Sequence, residues 1–227
     1  MSVIYKDFVR PDKGLVEAFK DIPVANIDDC MDRVAAANAE IIPMGRKKVI
    51  GTCFTIKTAE GDNLMLHKAM DMAKPGDVLV IDAGGCRARS IFGALIASYC
   101  KTRGIAGIVL DGAIRDAEEI SEMDYPVYAS AVVPNGPYKN GPGSINVPVC
   151  CGGIVVFPGD IVVGDGDGVI FIRPHEAEKV LRAAQAVVKK EKLIEDEIRR
   201  NGTYVRPWVD EFIERLGCEE HELWHEV

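Results

Sequence analysis

Seven stretches of the chain are dense in β-branched and other apolar side chains: Val49–Ile56, Val78–Ile81, Ile105–Leu110, Val127–Ala129, Val147–Phe157, Ile161–Val163 and Val169–Ile172. Side chains of this kind suit a pleated, buried surface, so each stretch is predicted to be a strand. Between several of them the apolar spacing changes to three and four. Asp62 can cap a helix running through Met72, with Met65, Ala69 and Met72 on one face, and Ser90 can cap another that stops at Gly104. Strands alternating with helices predict an α/β domain.

Further along, Pro174 can open a long helix that Gly202 closes, with Val180, Ala184, Val187, Ile194 and Ile198 forming an apolar stripe. Glu191 falls in the centre of that stripe. A carboxylate there either meets a partner or marks the point where the helix leaves the core for water. Trp208, Phe212, Ile213 and Leu216 in the remaining tail need something to pack on, and a neighbouring subunit would serve. The expected organisation is residues 1–173 as the α/β domain and 174–227 as a C-terminal helix and tail.

Two turns repeat each other. Pro75-Gly76-Asp77 leads into Val78-Leu79-Val80 as Pro158-Gly159-Asp160 leads into Ile161-Val162-Val163. Residues 134–148 carry no apolar period and read as a long loop, a feature more often functional than idle. The 227 residues, 48% hydrophobic and 27% charged, suffice for one full core. No apolar run approaches the roughly 18 residues that span a bilayer, so a cytoplasmic protein with no membrane partner is expected. Seven cysteines without a C-x-x-C pair fit reduced, core-filling thiols. A net charge of -8 argues against nucleic acid as partner and requires any anion site to be built locally.

One segment can build it. The run ending at Asp111 is followed by Gly112-Ala113-Ile114-Arg115-Asp116, so a tight turn at Gly112 would bring Arg115 and Asp116 out at the carboxyl end of a strand, where open α/β sheets place ligands. On spacing alone the two charges could equally pair with neighbours at a helix start.

The order and spacing of a longer set of marks resemble one family: Gly61-Asp62-Asn63-Leu64, Pro75-Gly76-Asp77, Gly84-Gly85, Arg103-Gly104, Asp111-Gly112 with Arg115-Asp116, Pro126-Val127, Gly152-Gly153, and Pro158-Gly159-Asp160 running to Asp165. From Ile50 to Ile172 the chain is similar to the RraA-like family. That family includes 4-hydroxy-4-methyl-2-oxoglutarate and 4-carboxy-4-hydroxy-2-oxoadipate aldolases together with RraA-like regulators of ribonuclease E. The resemblance implies an α/β fold of the swivelling ββα type with a mixed sheet and a C-terminal helical extension, assembled as a homotrimer or dimer of trimers. It further implies a class II pyruvate aldolase site, where Mg2+ or Mn2+ chelates the substrate's carboxylate and 2-oxo group and stabilises a pyruvate enolate.

Carried over residue by residue, Asp116 matches the metal ligand and Arg115 the substrate-binding arginine. Gly93, Ala94, Leu95 and Ile96 match a backbone turn whose amides face the substrate carboxylate. Asn63 and Lys139 match further polar groups of the site, and Glu191 lies where the family sends a carboxylate to a neighbouring subunit's metal. One departure stands out: the aldolases carry an Asp twenty-one residues before the Arg, and here that position is Ala94. Its absence tilts the expected chemistry from retro-aldol cleavage towards decarboxylation of oxaloacetate, which needs no base to remove a hydroxyl proton. The competing function is a non-catalytic regulator that binds ribonuclease E or another protein, for which Asp116 would have no use.

Other motifs carry less. Val80–Gly85 faintly resembles the opening of a methyltransferase but lacks a third glycine. Gly164-Asp165-Gly166-Asp167-Gly168 imitates a calcium loop yet reads better as a hairpin turn. Cys218, His221 and His225 have ligand-like spacing in a tail expected to be solvated. His67 and His175 stand alone, and Lys57 or Lys139 would serve a Schiff-base rival only with a depressed pKa.

Overall fold

The structure is a computed structural model that describes residues 2–45 and 48–224. In chain order its elements are α1 (Lys13–Glu17), α2 (Val24–Asp29), β1 (Ile42–Pro43), β2 (Val49–Thr58), α3 (Leu64–Met72), β3 (Asp77–Phe92), α4 (Ala94–Thr102), β4 (Gly107–Ile114), α5 (Ala117–Glu122) and β5 (Val127–Val132). There follow β6 (Gly143–Ile145), β7 (Val149–Cys151), β8 (Ile154–Val156), β9 (Ile161–Asp165), β10 (Gly168–Ile172), α6 (Pro174–Asn201) and α7 (Trp208–Leu216).

The main sheet is mixed, in the order β1-β5-β4-β3-β2-β9-β10, with β6 also on β2. Strands β2 to β5 are parallel, and helices α3, α4 and α5 make the crossovers between them. One face buries Phe54, Ile56, Leu79, Ile81, Ile108 and Leu110 against Leu66, Ala97, Cys100 and Ile120 of these helices. On the other, Cys53, Val78, Val80, Val109 and Tyr128 meet the β7–β8 hairpin and Val162, Val169 and Phe171 of β9 and β10. Burial on both faces explains why these strands read as continuous apolar runs.

The repeated turns match in detail. Gly76 and Gly159 take φ of +90° and +94°, and the following Asp77 and Asp160 are buried. Each aspartate accepts from a backbone N-H three residues before it, at Lys74 and Phe157, and each is held by an arginine, Arg10 or Arg173, at 2.6–2.7 Å.

Several expectations are corrected. The residues 147–157 are not one strand but the β7–β8 hairpin, because Gly152 and Gly153 turn the chain at φ of +57° and +81°. Ser90 caps no helix: β3 runs through it to Phe92 with register shifts, its hydroxyl donates to the Asn135 carbonyl, and α4 begins after Gly93. Gly112 makes no turn, since β4 continues to Ile114; a Cβ there would lie 3.1 Å from Ala83 Cβ, so glycine permits close strand packing. Asp62 lies one residue outside the N-cap of α3, yet its Oδ1 still accepts from Leu64 N at 2.9 Å. Within residues 134–148, β6 adds a short strand. The expected hairpin turn after Asp165 is present between β9 and β10.

The chain divides into two compact units, Met1–Ala186 and Val187–Val227. The first turns of α6 belong to the first unit, where Ala177, Val180 and Ala184 are buried. In the second unit Leu193, Trp208, Phe212 and Leu216 are exposed. Among the described residues no helix is long and apolar enough to cross a membrane.

Candidate functional site

The site forms where β3 and β4 end side by side. Phe92 pairs with Ile114, and Arg115 N donates to Phe92 O at 3.0 Å, so the two chain ends leave the sheet together. Asp116 then adopts φ 56°, ψ 39°, the left-handed region, which Asp tolerates better than most side chains. From there its carboxylate returns to the start of α4: Oδ2 accepts from Ala94 N at 3.1 Å and lies 3.6 Å from Arg115 Nε. The two side chains are 48% and 41% exposed and open on a shallow cleft of about 330 Å³ lined also by Val132, Val133 and Pro134.

Gly93 is what permits this arrangement. A Cβ at Gly93 would lie 2.1 Å from Asp116 Oδ2 and 2.9 Å from Arg115 Cγ, so no side chain fits between strand end and carboxylate. The Ala94 amide is taken by the protein's own Asp116 rather than left for a substrate; the Ala94 side chain is 3% exposed in the helix-side core, whereas Leu95 is 85% exposed and Ile96 partly buried.

The loop 134–140 lies beside the pair. A Cβ at Gly136 would be 3.2 Å from Arg115 Nη1. This loop is fastened to β3 by Ser90 N and Oγ, both donating to Asn135 O at 2.8 Å, and by Asn135 Nδ2 donating to Ala88 O. Asp62 fastens its other end, Oδ2 accepting from Asn140 N at 2.6 Å and Gly141 N at 2.9 Å.

Asn63, expected among substrate contacts, is only 2% exposed. Its Nδ2 donates to Ile91 O and its N-H to Tyr138 O, so it braces the strand leading to Gly93 from behind. Lys139 is exposed on the loop, and Glu191 is exposed on the part of α6 that belongs to the second unit. Sequence reasoning did not single out Arg89. Its Nη1 donates to Gly136 O and its Nη2 to Tyr138 OH, and its only sequence signal was a basic residue shortly before the Gly93 turn.

Asp116 is a hard oxygen donor, half exposed, with its contacts concentrated on Oδ2. Among the described residues no three His, Cys, Asp or Glu side chains gather as a metal cage. A single carboxylate suits an ion such as magnesium that keeps several waters and takes its other ligands from substrate. Of the tail trio, Cys218 is exposed, His221 lies 3.4 Å from Glu219, and His225 is outside the described residues. Lys57 is bound to Asp82 at 2.7 Å.

Residues 24–171 match the model of the RraA-like family, described as Aldolase/RraA. A Halalkalibacterium halodurans protein provisionally named 4-hydroxy-4-methyl-2-oxoglutarate aldolase is 38% identical over 199 residues, 87% of this chain and 95% of the relative. A Thermus thermophilus protein named 4-hydroxy-4-methyl-2-oxoglutarate aldolase is 32% identical over 139 residues, 59% of this chain and 84% of the relative. Among solved structures, Streptomyces coelicolor RraAS2, called an unusual member of the RNase ES inhibitor RraA family, superposes with a TM-score of 0.74 at 26% identity, covering 83% of this chain and 100% of the other.

Proposed function

This chain belongs to the RraA-like, Aldolase/RraA family, and from that membership we propose that it is a divalent-metal-dependent carbon-carbon lyase acting on small 2-oxo acids. The observation that carries the proposal is the Arg115–Asp116 pair on one cleft wall at the carboxyl end of β4, with Asp116 held in a left-handed conformation by its bond to Ala94 N. The aldolase names of the relatives point the same way.

In this reading the Arg115 guanidinium takes the substrate carboxylate in a two-point contact. Asp116, whose Oδ2 accepts from the Ala94 amide, would hold Mg2+ or Mn2+. When bound, the ion would supply positive charge beside the 2-oxo oxygen, where negative charge develops as the carbon-carbon bond breaks. The chain's own contribution is orientation: the Ala94 amide and the Arg115–Phe92 backbone bond hold both groups before substrate arrives. Lys139 is a further candidate for polar contact, and Glu191 for a carboxylate given by a neighbouring copy. With Ala94 buried and without an acid, decarboxylation of oxaloacetate is favoured over aldol cleavage.

The test is pyruvate release from oxaloacetate and from 4-hydroxy-2-oxo acids, with and without magnesium, in wild type and Asp116→Asn. Magnesium-dependent release that falls to background in a folded Asp116→Asn variant is expected. Full activity in excess chelator would overturn the proposal.

A further inference from the structure

We infer that the wall formed by Val132, Val133 and Pro134 is the subsite for the far end of the substrate, and that it selects 2-oxo acids ending in an uncharged aliphatic group. The inference rests on the reading of Arg115 and Asp116 as the seat of the 2-oxo acid head.

The wall is fixed to that seat. Val132 pairs in register with Ile114, and Val133 N donates to Ile114 O at 2.9 Å, so both valines stand beside the residue that precedes Arg115. Pro134 follows, and the loop it opens is bound to β3 through Asn135 O. Val132 is apolar yet 53% exposed, which leaves its methyl groups open to a ligand. A wall so held has little order left to gain when a ligand arrives.

Its chemistry is one-sided. Among the described residues that line the cleft, Arg115 is the one cation, and Val132, Val133 and Pro134 bring no polar side-chain atom. Arg89 and Lys139 lie outside the lining, and Arg89 is turned to Gly136 O and Tyr138 OH. The first turn of α5, directly after Asp116, carries Glu118 and Glu119. A second carboxylate on the substrate would lose water against the wall, find no cation there, and meet like charge in a chain of net charge -8. A methyl or ethyl end escapes these costs and gains contact with three apolar side chains.

The same wall decides what can leave. When the bond between the third and fourth carbons of a 4-hydroxy-2-oxo acid breaks, its electron pair stays on the third carbon as the enolate, which takes a proton from water. The hydroxyl proton passes to water, and the fourth carbon departs as a carbonyl. For this class the departing fragment is a neutral aliphatic aldehyde or ketone, whereas the 4-hydroxy-4-methyl-2-oxoglutarate in the names of two relatives would release a second carboxylate. In oxaloacetate the departing carboxylate gives its charge to the enolate and leaves as neutral carbon dioxide, which suits an apolar wall better than the ion it came from.

Titration calorimetry in magnesium tests this with 2-oxopentanoate and 2-oxoglutarate. The two have the same five-carbon length, end in a methyl group and a carboxylate respectively, and carry no 4-hydroxyl group to cleave. Wild type is expected to bind 2-oxopentanoate at least about tenfold more tightly. Val132→Lys should reverse the order by placing a cation at the far end. Should that variant fail to fold, Val132→Ser should weaken 2-oxopentanoate at least about threefold and leave 2-oxoglutarate unchanged. A preference that the folded variants do not move would place the far end of the substrate elsewhere and overturn the inference. Equal affinities in wild type, or tighter binding of 2-oxoglutarate, would overturn it too while leaving the Arg115–Asp116 reading intact. Absence of binding by either ligand to wild type would remove that reading as well.

Discussion

Gly93 shows how one missing side chain sets the geometry of two charged ones. Its backbone is extended, with φ of -141°, so any residue could adopt the conformation; what excludes a side chain is Asp116 Oδ2, 2.1 Å from where a Cβ would be. Gly93→Ala must therefore push Asp116 away from the Ala94 amide. Displacements near 1 Å in a positioned group can lower turnover about 100-fold, and that loss is expected in the pyruvate-release assay, with the circular-dichroism spectrum retained. Activity within twofold of wild type would show that Asp116 works equally well elsewhere. Ala94 carries a related lesson. Read along the chain it looks like a vacant catalytic position, but its side chain is packed in the core, so a carboxylate there would be buried in an apolar cluster. The identities of Arg115 and Asp116 were legible from their place after a buried run. The roles of Gly93 and Arg89 were not, because both depend on contacts with residues more than twenty positions away.

At the scale of elements, the decisive piece is the loop 134–140, which has little regular structure and borrows its order from neighbours. Asp62, buried at the start of α3, supplies three acceptor contacts: Leu64 N, Asn140 N and Gly141 N. Asp62→Ala would leave these amides without their partner and release the loop from α3. Hydrogen bonds to a charged group are worth about 1.5–3 kcal/mol, which for a chain of this size lowers Tm by roughly 3–12 °C. Weaker 2-oxo acid binding should accompany the shift, since Gly136 of this loop borders Arg115. A melting curve that coincides with wild type would show that the loop is held by β3 alone. Capping by Asp62 could be anticipated from its position before an apolar period; its second duty could not, because residues 140 and 141 carry no local sign of the contact. In the same way the pattern showed β3 only as Val78–Ile81, since beyond Ile81 the strand runs through Gly84, Gly85 and three arginine or serine positions that no alternation marks.

For the whole molecule, the second unit poses the question of partners. Trp208, Phe212 and Leu216 recur every four residues along α7 and are 49–75% exposed, an apolar stripe that water disfavours. A neighbouring copy of this chain is the expected cover, in a trimer or dimer of trimers whose sites are completed between subunits. Light scattering should report a mass several times that of the chain, and Phe212→Glu with Leu216→Glu should return it towards the monomer with loss of activity. A fully active wild-type monomer would remove this expectation. The cysteines already agree with their reading as core material in part: Cys53, Cys100 and Cys151 are buried, and burial pushes the Cys100 thiol up to about 12, while Cys150 and Cys218 are exposed.

Periodicity, turn chemistry and the order of short motifs were enough to determine an α/β domain, its family, both Pro-Gly-Asp turns and the charged pair at a strand end. These follow from local chemistry: a glycine at positive φ, a β-branched run or a proline at a helix start means much the same wherever the rest of the chain lies. Tertiary structure alone decided where β4 stops, that Asp116 takes the amide of Ala94, that Asn63 stands behind the site and that Arg89 and Arg115 flank one glycine. Each of those depends on parallel strands and a loop brought together across crossovers, and the distance between groups that meet in this way is not written in the spacing of either segment.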